Sequence, residues 1–186
     1  MDAITALLGR NSASRLTDPA PAGAQREQIF AAALRAPDHG RLQPWRFLVV
    51  EGHARQRLGE VLANAIQRYR PDVTAEELAK LRANPLRAPL VVVLAAHIVP
   101  HPKVPELEQL LSVGCAAQNM LLAAHALGFA GMWRTGKITY TAELREELGL
   151  SDEERVLGFL YLGSVDGQAK TLSGPPVSAH FRSWGK

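Results

Sequence analysis

The stretch from about Pro105 to Leu127 does most to limit what this chain can fold into. It is the longest helical candidate in the 186 residues, with Leu107, Leu110, Leu111, Gly114, Cys115 and Gln118 forming a stripe at helical spacing. Met120-Leu121-Leu122-Ala123-Ala124 then makes it apolar on nearly all sides, and a helix of that kind has to be covered all round. Glu106, Glu108, Gln109, Gln118, Asn119 and His125 interrupt it too often for a membrane span, which needs ~20 predominantly apolar residues. The expectation is a central helix covered by the chain's own core or by a second copy, with no membrane partner. Gly128 supplies its stop. Cys115, in the middle of an apolar helix, reads as a small buried hydrophobe rather than a nucleophile.

Shorter elements are arranged around it. Ile4, Leu7 and Leu8 place an amphipathic helix over residues 2–9, closed by Gly9, which delivers the chain to Arg10. After the break at Asp18-Pro19-Ala20-Pro21, Ile29, Phe30, Ala33 and Leu34 mark a second helix that stops before Pro37, with Arg35 in its last turn. The apolar runs Arg46 to Val50 and Pro89 to Ala96 read as buried strands. Between them lie a helical pattern over 54–68 and a capping box at Thr74-Ala75-Glu76-Glu77 opening a helix toward Arg82, a middle region with no recognisable chemistry. Phe129 to Arg134 reads as a strand, Ala142 to Leu148 as a short helix capped by Thr141, and Val156 to Gly163 as a buried strand. Four strands with unevenly placed helices imply an α+β layer structure. From Ser164 onward periodicity is lost, although Phe181 and Trp184 need a surface to lie on, so a single domain over 1–186 with a 164–186 extension wrapping a partner subunit is expected.

Composition removes several function classes. The chain is 47% apolar and 21% charged, enough for one core. Its net charge of +3 is dispersed along the sequence and only 6% of residues are aromatic, which argues against a nucleic-acid groove. The start lacks a secretory pattern and the lone Cys115 cannot form an internal disulfide, so a reducing cytoplasm is the expected setting. His97 and His101 have the spacing of helical metal ligands, but Pro100 and Pro102 oppose a helix there and no Cys or carboxylate completes a set, so no metal is expected. Neither a Gly-x-Gly-x-x-Gly, a phosphate-binding Gly-Lys-Ser/Thr nor a Gly-x-Ser-x-Gly elbow is present.

Three polar islands remain: Arg10-Asn11-Ser12-Ala13-Ser14-Arg15, the Ala36-to-Trp45 loop, and Gly128-Phe129-Ala130-Gly131-Met132-Trp133-Arg134-Thr135. Arg10 and Ser12 at a helix end can hold a phosphate, with Arg134 joining from a strand end, although Arg beside Ser is common on surfaces. Arg35 is also what a helix C-terminus favours against its macrodipole. His39 and Gln43, on a loop stiffened by Pro37 and Pro44, can hydrogen-bond the edge of a heteroaromatic ring.

Taken in order, Arg10-x-Ser12-Ala13-Ser14-Arg15, Arg35-Ala36-Pro37-Asp38-His39, Gln43-Pro44-Trp45-Arg46-Phe47, Arg87-Ala88-Pro89-Leu90, Lys103-Val104-Pro105, Gly128-Phe129 and Gly158-Phe159-Leu160-Tyr161-Leu162-Gly163 run nearly end to end. In these blocks the chain resembles the FMN-dependent nitroreductases. The resemblance implies an α+β fold with a central, mostly antiparallel sheet flanked by helices, forming a homodimer with an FMN at each of two sites in the subunit interface. It assigns Arg10, Asn11 and Ser12 to the flavin from one subunit, with Trp133, Arg134 and Thr135 closing around it and Arg35 and His39 approaching from the other. Ala123, Ala124, His125, Ala126, Leu127 and Gly128 match a region assigned to NAD(P). Asn11 departs from the family's usual second Arg, which implies one cation fewer around FMN and a more modest affinity.

The implied activity is a ping-pong transfer of two electrons from NAD(P)H through FMN to an electron-poor small molecule, nitroaromatic or quinone-like, with no protein side chain acting as nucleophile or base. A positive group near the flavin's N1 and C2 carbonyl edge is needed, and Arg10 or Arg35 can supply it. The alternatives are a flavin-binding carrier or sensor without turnover, and a specialised flavoenzyme for reductive dehalogenation or flavin destruction.

Overall fold

The computed structural model describes residues 1–165, 167 and 174–185. Strand β3 (Leu90–His97) lies inside a five-stranded sheet and is buried along almost its whole length. Its β-branched run serves two cores at once, because successive side chains in a strand point to opposite faces. Leu90, Val92, Leu94 and Ala96 join one apolar cluster and Val91 and Val93 the other. Strand β2 (Trp45–Glu51) pairs with one edge of β3 and β5 (Glu154–Val165) with the other. Strand β4 (Ala130–Arg134) pairs with β5, and a two-residue β1 (Leu16–Thr17) meets its far end. All these ladders are antiparallel; the parallel contact is the isolated bridge between Ser12 and Gly131. β1 had no counterpart among the expected strands, since two residues are too few to carry a period.

Helices α2 (Gly23–Ala33) and α5 (Glu106–Ala126) cover one face of the sheet. Helices α3 (Ala54–Tyr69), α4 (Ala75–Ala83) and α6 (Ala142–Glu147) lie on the other. The fully buried Leu94, Met120, Leu160 and Leu162 each contribute about 2 kcal/mol in apolar surface removed from water. The α4 capping box forms as expected: Glu77 N–H donates to Thr74 Oγ1 (3.2 Å) and Thr74 N–H to Glu77 Oε2 (3.1 Å). Gly128, at φ +86°, ends α5 in a Schellman motif, with Gly128 N–H donating to His125 O and Phe129 N–H to Ala124 O.

The expectation that Cys115 is a small buried hydrophobe needs correction. The inward face of α5 is Gln109, Ser112, Val113, Ala116, Ala117, Met120, Leu121 and Ala124, so the stripe beginning at Leu107 faces outward. Leu107 (64% exposed), Leu111 (58%) and Cys115 lie on it. Cys115 is therefore exposed, because it sits on the side of the helix turned away from the sheet. The buried Gln109 is satisfied, accepting Val99 N–H (3.0 Å) and donating to Val99 O (2.8 Å). In α1 (Ala3–Gly9) only Ala6 is buried, while Ile4, Leu7 and Leu8 are exposed. Among the described residues, no helix is long and apolar enough to cross a membrane. The extension was expected to begin at Ser164, but Ser164 and Val165 end β5 and pair with β1; beyond them stand a 3-10 turn at Val177–Ala179 and exposed Phe181 and Trp184, and residues 166, 168–173 and 186 lie outside the described residues.

Candidate active site

The site begins with an irregularity in β5. Leu94 pairs with Gly158 and Ala95 with Val156, which leaves Leu157 as an extra, bulged residue. Its carbonyl is turned out of the β3 ladder and accepts the Trp133 indole N–H at 3.2 Å. Gly158 has φ +139°, and a Cβ there would sit 2.4 Å from Trp133 Nε1, 2.7 Å from Arg134 O and 3.0 Å from Thr135 Cγ2. Only glycine allows β5 to pass so close beneath the end of β4. The Gly158 block thus fixes where Trp133, Arg134 and Thr135 stand.

Beyond this strand end opens a cleft of about 1030 Å³, at the top of the range for ligand pockets. Trp133, Arg134 and Thr135 form one wall; Tyr69, Arg70, Lys80 and Asn84, from α3, α4 and the 3-10 turn Asn84–Arg87, form the other. Met132, Ile138, Phe159 and Tyr161 give an apolar floor. The region between β2 and β3, in which the sequence shows no recognisable chemistry, supplies about half of the lining. No local motif marks Tyr69 or Lys80, which reach the site only because α3 and α4 fold back over the sheet.

The charges on the two walls are balanced differently. Arg70 pairs with Glu77 at 2.7 Å, a hydrogen bond that lowers the Glu77 pKa to about 2, and Lys80 pairs with Glu76 at 2.7 Å. Arg134 has no carboxylate partner among the described residues. Its guanidinium lies 5.4 Å from the centre of the Tyr161 ring. Nη2 donates to Ser14 O at 2.9 Å, while Nε is buried without an acceptor. Burial first, and then the like charge of Arg87, push its pKa below the ordinary value. Tyr161, 3% exposed, has its hydroxyl pushed up to about 12 by burial, against the opposing pull of Arg134 and Arg87.

The first and third polar islands come together. Arg10 caps the C-terminal end of α1, Ser12 bridges to Gly131, and Ala13 N–H donates to Gly131 O at 3.3 Å. Asn11 lies half-buried between them, and Arg10 Nη1 is buried without a partner among the described residues. The second island lies elsewhere. α2 ends at Ala33, so Arg35 sits just past the helix rather than in its last turn, and it is exposed. Asp38 holds the following loop by accepting Leu42 N–H and Gln43 N–H, and His39 Nδ1 lies 2.5 Å from Glu108 Oε2 near the start of α5. Gly9, next to Arg10, lies beside His125 near the end of α5. At 1.5 Å per residue these two points on the helix are about 25 Å apart. Ala123–Gly128 forms the α5 terminus outside the cleft lining, with Ala124 buried in the core and Ala126 and Gly128 exposed. His97 ends β3, and His101 instead accepts Lys103 N–H and Val104 N–H.

This combination of sheet, bulge and strand-end cleft can be set beside known proteins. The model of the nitroreductase family matches residues 7–164. The chain belongs to that family. It is 43% identical over 181 residues to YdjA of Escherichia coli (strain K12), which bears the name of an NAD(P)H nitroreductase, covering 97% of this chain and 98% of that one. Among solved structures, a nitroreductase-like family protein from Bacillus cereus superposes with a TM-score of 0.85 at 23% identity, covering 100% and 97% of the two chains. The FMN-dependent nitroreductase NfnB from Mycobacterium smegmatis, solved with NADPH, gives 0.75 at 22% identity, covering 97% of each. This nitroreductase-family chain therefore has the family's antiparallel sheet and flanking helices.

Proposed function

We propose that the chain is an FMN-dependent oxidoreductase that passes two electrons from NAD(P)H to an electron-poor small molecule, nitroaromatic or quinone-like, by a ping-pong mechanism. It acts as a homodimer in the cytoplasm. The observation that carries this reading is the strand-end cleft, whose wall holds the unneutralised cation of Arg134 over an apolar floor. The donor set fits a planar, phosphorylated ring. Arg10 Nη1 and Arg134 Nε are both buried without acceptors among the described residues, and a buried donor left unmade is costly unless a ligand fills it.

Bound there, FMN supplies the hydride-accepting chemistry. The protein's residues supply position and charge. Arg10 and Ser12, with Asn11 between them, bind the phosphate by charge-assisted hydrogen bonds. Trp133, held by its bond to Leu157 O, and Thr135 keep the ring against the sheet edge. The floor of Met132, Phe159 and Tyr161 keeps water from beneath it. The partner's Arg35 and the partner's His39 complete the site, which answers the 25 Å offset along α5 noted above. Ala123, His125, Ala126, Leu127 and Gly128 offer accessible surface to the dinucleotide, while Ala124 serves the core. Acceptor protons come from solvent. The dimer reading draws on the exposed apolar residues of α1 and α5, Ile4, Leu7, Leu8, Leu107 and Leu111, which form a surface in search of cover. The exposed Phe181 and Trp184 suit an extension lying on the partner.

Anaerobic mixing of FMN-loaded protein with NADH or NADPH tests the reading. The yellow colour should bleach and return when a quinone or nitroaromatic is added. Stable yellow with both dinucleotides would identify a carrier instead, and protein that takes up no FMN would end the proposal.

A further inference from the structure

We infer that Arg134, rather than Arg10 or Arg35, is the cation that favours the reduced form of the bound flavin. The inference rests on the flavin reading above. Two-electron reduction with uptake of one proton adds one negative charge to the ring system; both electrons and the proton come from NAD(P)H, which leaves as the oxidised dinucleotide. A group shifts this balance only if it meets the two redox forms differently. Arg10 stands at the end of α1 beside Ser12, where it serves a phosphate whose charge is the same in both forms. Arg35 is exposed past the end of α2.

Arg134 differs from both. Its side chain forms part of the cleft wall and lies over the buried Tyr161 ring, fixed by its bond to Ser14 O. Among the described residues no carboxylate neutralises it, and its Nε has no acceptor. Of the other cations lining the cleft, Arg70 pairs with Glu77 and Lys80 with Glu76, while Lys137, which has no carboxylate partner among the described residues, is exposed to solvent. Arg87 adds to the positive field at Arg134, and Tyr161 stays un-ionised at working pH because its hydroxyl titrates near 12. A charge held in place in a partly desolvated cleft needs no reorganisation when the ring becomes negative.

The test is the midpoint potential of bound FMN, measured by equilibration with a reference dye, together with the affinity for oxidised FMN by fluorescence quenching. Arg134→Gln should weaken binding of reduced flavin about tenfold more than binding of oxidised flavin, a fall of about 30 mV for a two-electron couple. Arg134→Lys should restore most of the potential, and Arg87→Gln, on an exposed side chain, should lower it less in the same direction. An unchanged potential in Arg134→Gln, or a fall that lysine does not repair, overturns the inference. So does a larger fall in Arg35→Gln or Arg10→Gln. If Arg134→Gln fails to fold, Arg87→Gln decides, and an unchanged potential there is fatal. A parent protein that binds no FMN sinks the functional reading itself; a parent that binds FMN with variants that leave its potential unmoved sinks only the role given to Arg134.

Discussion

The two faces of the sheet solve opposite problems. On the α3–α4 side, the layer stops short of the end of β4, and the space left is lined by Arg134, Tyr161 and a few polar side chains over an apolar floor. On the α2–α5 side the core is closed, with Ile29, Ala33, Val113, Ala116 and Ala117 all fully buried, but the outer surface of α5 exposes Leu107 and Leu111. Among the described residues, Arg134 in the cleft lacks a counter-charge and the outer stripe of α5 lacks apolar cover. A missing counter-charge suits a small anion-bearing ligand, whereas uncovered leucines on a long helix suit another protein surface. The cleft wall and the α5 stripe thus carry different claims, one about what a single chain gives the site and one about the contact that would bring the partner's Arg35 and the partner's His39 to complete it.

Gly158→Ala should have the largest effect, because it attacks the cleft at its foundation. The added Cβ meets Trp133 and the Arg134 backbone at a φ of +139°, and strain plus overpacking should cost about 3 kcal/mol. Urea unfolding should show the loss together with weaker FMN binding, while a variant as stable as the parent would remove Gly158 from this role. Leu111→Glu attacks the other face. It should leave the circular dichroism spectrum unchanged and convert the dimer to monomer in analytical ultracentrifugation, and a persistent dimer would mean that the α5 stripe is not the interface.

Thr74→Ala sharpens the comparison by loosening only the α3–α4 wall. Loss of the capping box should cost about 1 kcal/mol and leave dimerisation untouched, measured by urea denaturation and sedimentation. The smallest effect should come from acid. Glu77 titrates near 2 in the folded chain against an ordinary 4.5, chiefly through its hydrogen bond from Arg70. A depressed carboxylate stabilises the fold above its unfolded pKa, so that contribution should be present above about pH 4.5 and fade as pH falls toward about 2. Glu77→Gln should flatten that part of the stability–pH profile, with a parent-like slope counting against the pairing.

Much of this was legible in the sequence, and what was not has physical causes. The bounds of α5, its stop at Gly128, the Thr74 capping box and the Thr141 cap are local signals, written within a few residues of where they act. The islands at Arg10–Arg15 and Gly128–Thr135 were visible in the sequence, and the bridge between Ser12 and Gly131 joins them. The orientation of α5 was not legible. Nearly apolar all round, it offers two stripes, and only packing against Ile29 and Leu162 selects the one that includes Val113 and Met120; the outward placement of Cys115 follows. Nor could local pattern reveal the wall of Tyr69, Arg70 and Lys80, since their meeting with Arg134 depends on contacts spanning more than fifty residues.

The central claim is that each site is built by two copies of the chain, with Arg10 and Arg134 from one and Arg35 and His39 from the other. The most direct measurement is FMN stoichiometry in a heterodimer of Arg10→Ala and His39→Ala chains, purified with two different affinity tags. Each variant homodimer carries a defect in both sites. If the sites are shared, the heterodimer gathers both defects into one site and leaves the other intact, so it should bind a single FMN per dimer with parental affinity. Two impaired sites in the heterodimer, one weakened by loss of Arg10 and the other by loss of His39, would mean that each chain builds its own site, and would contradict the account.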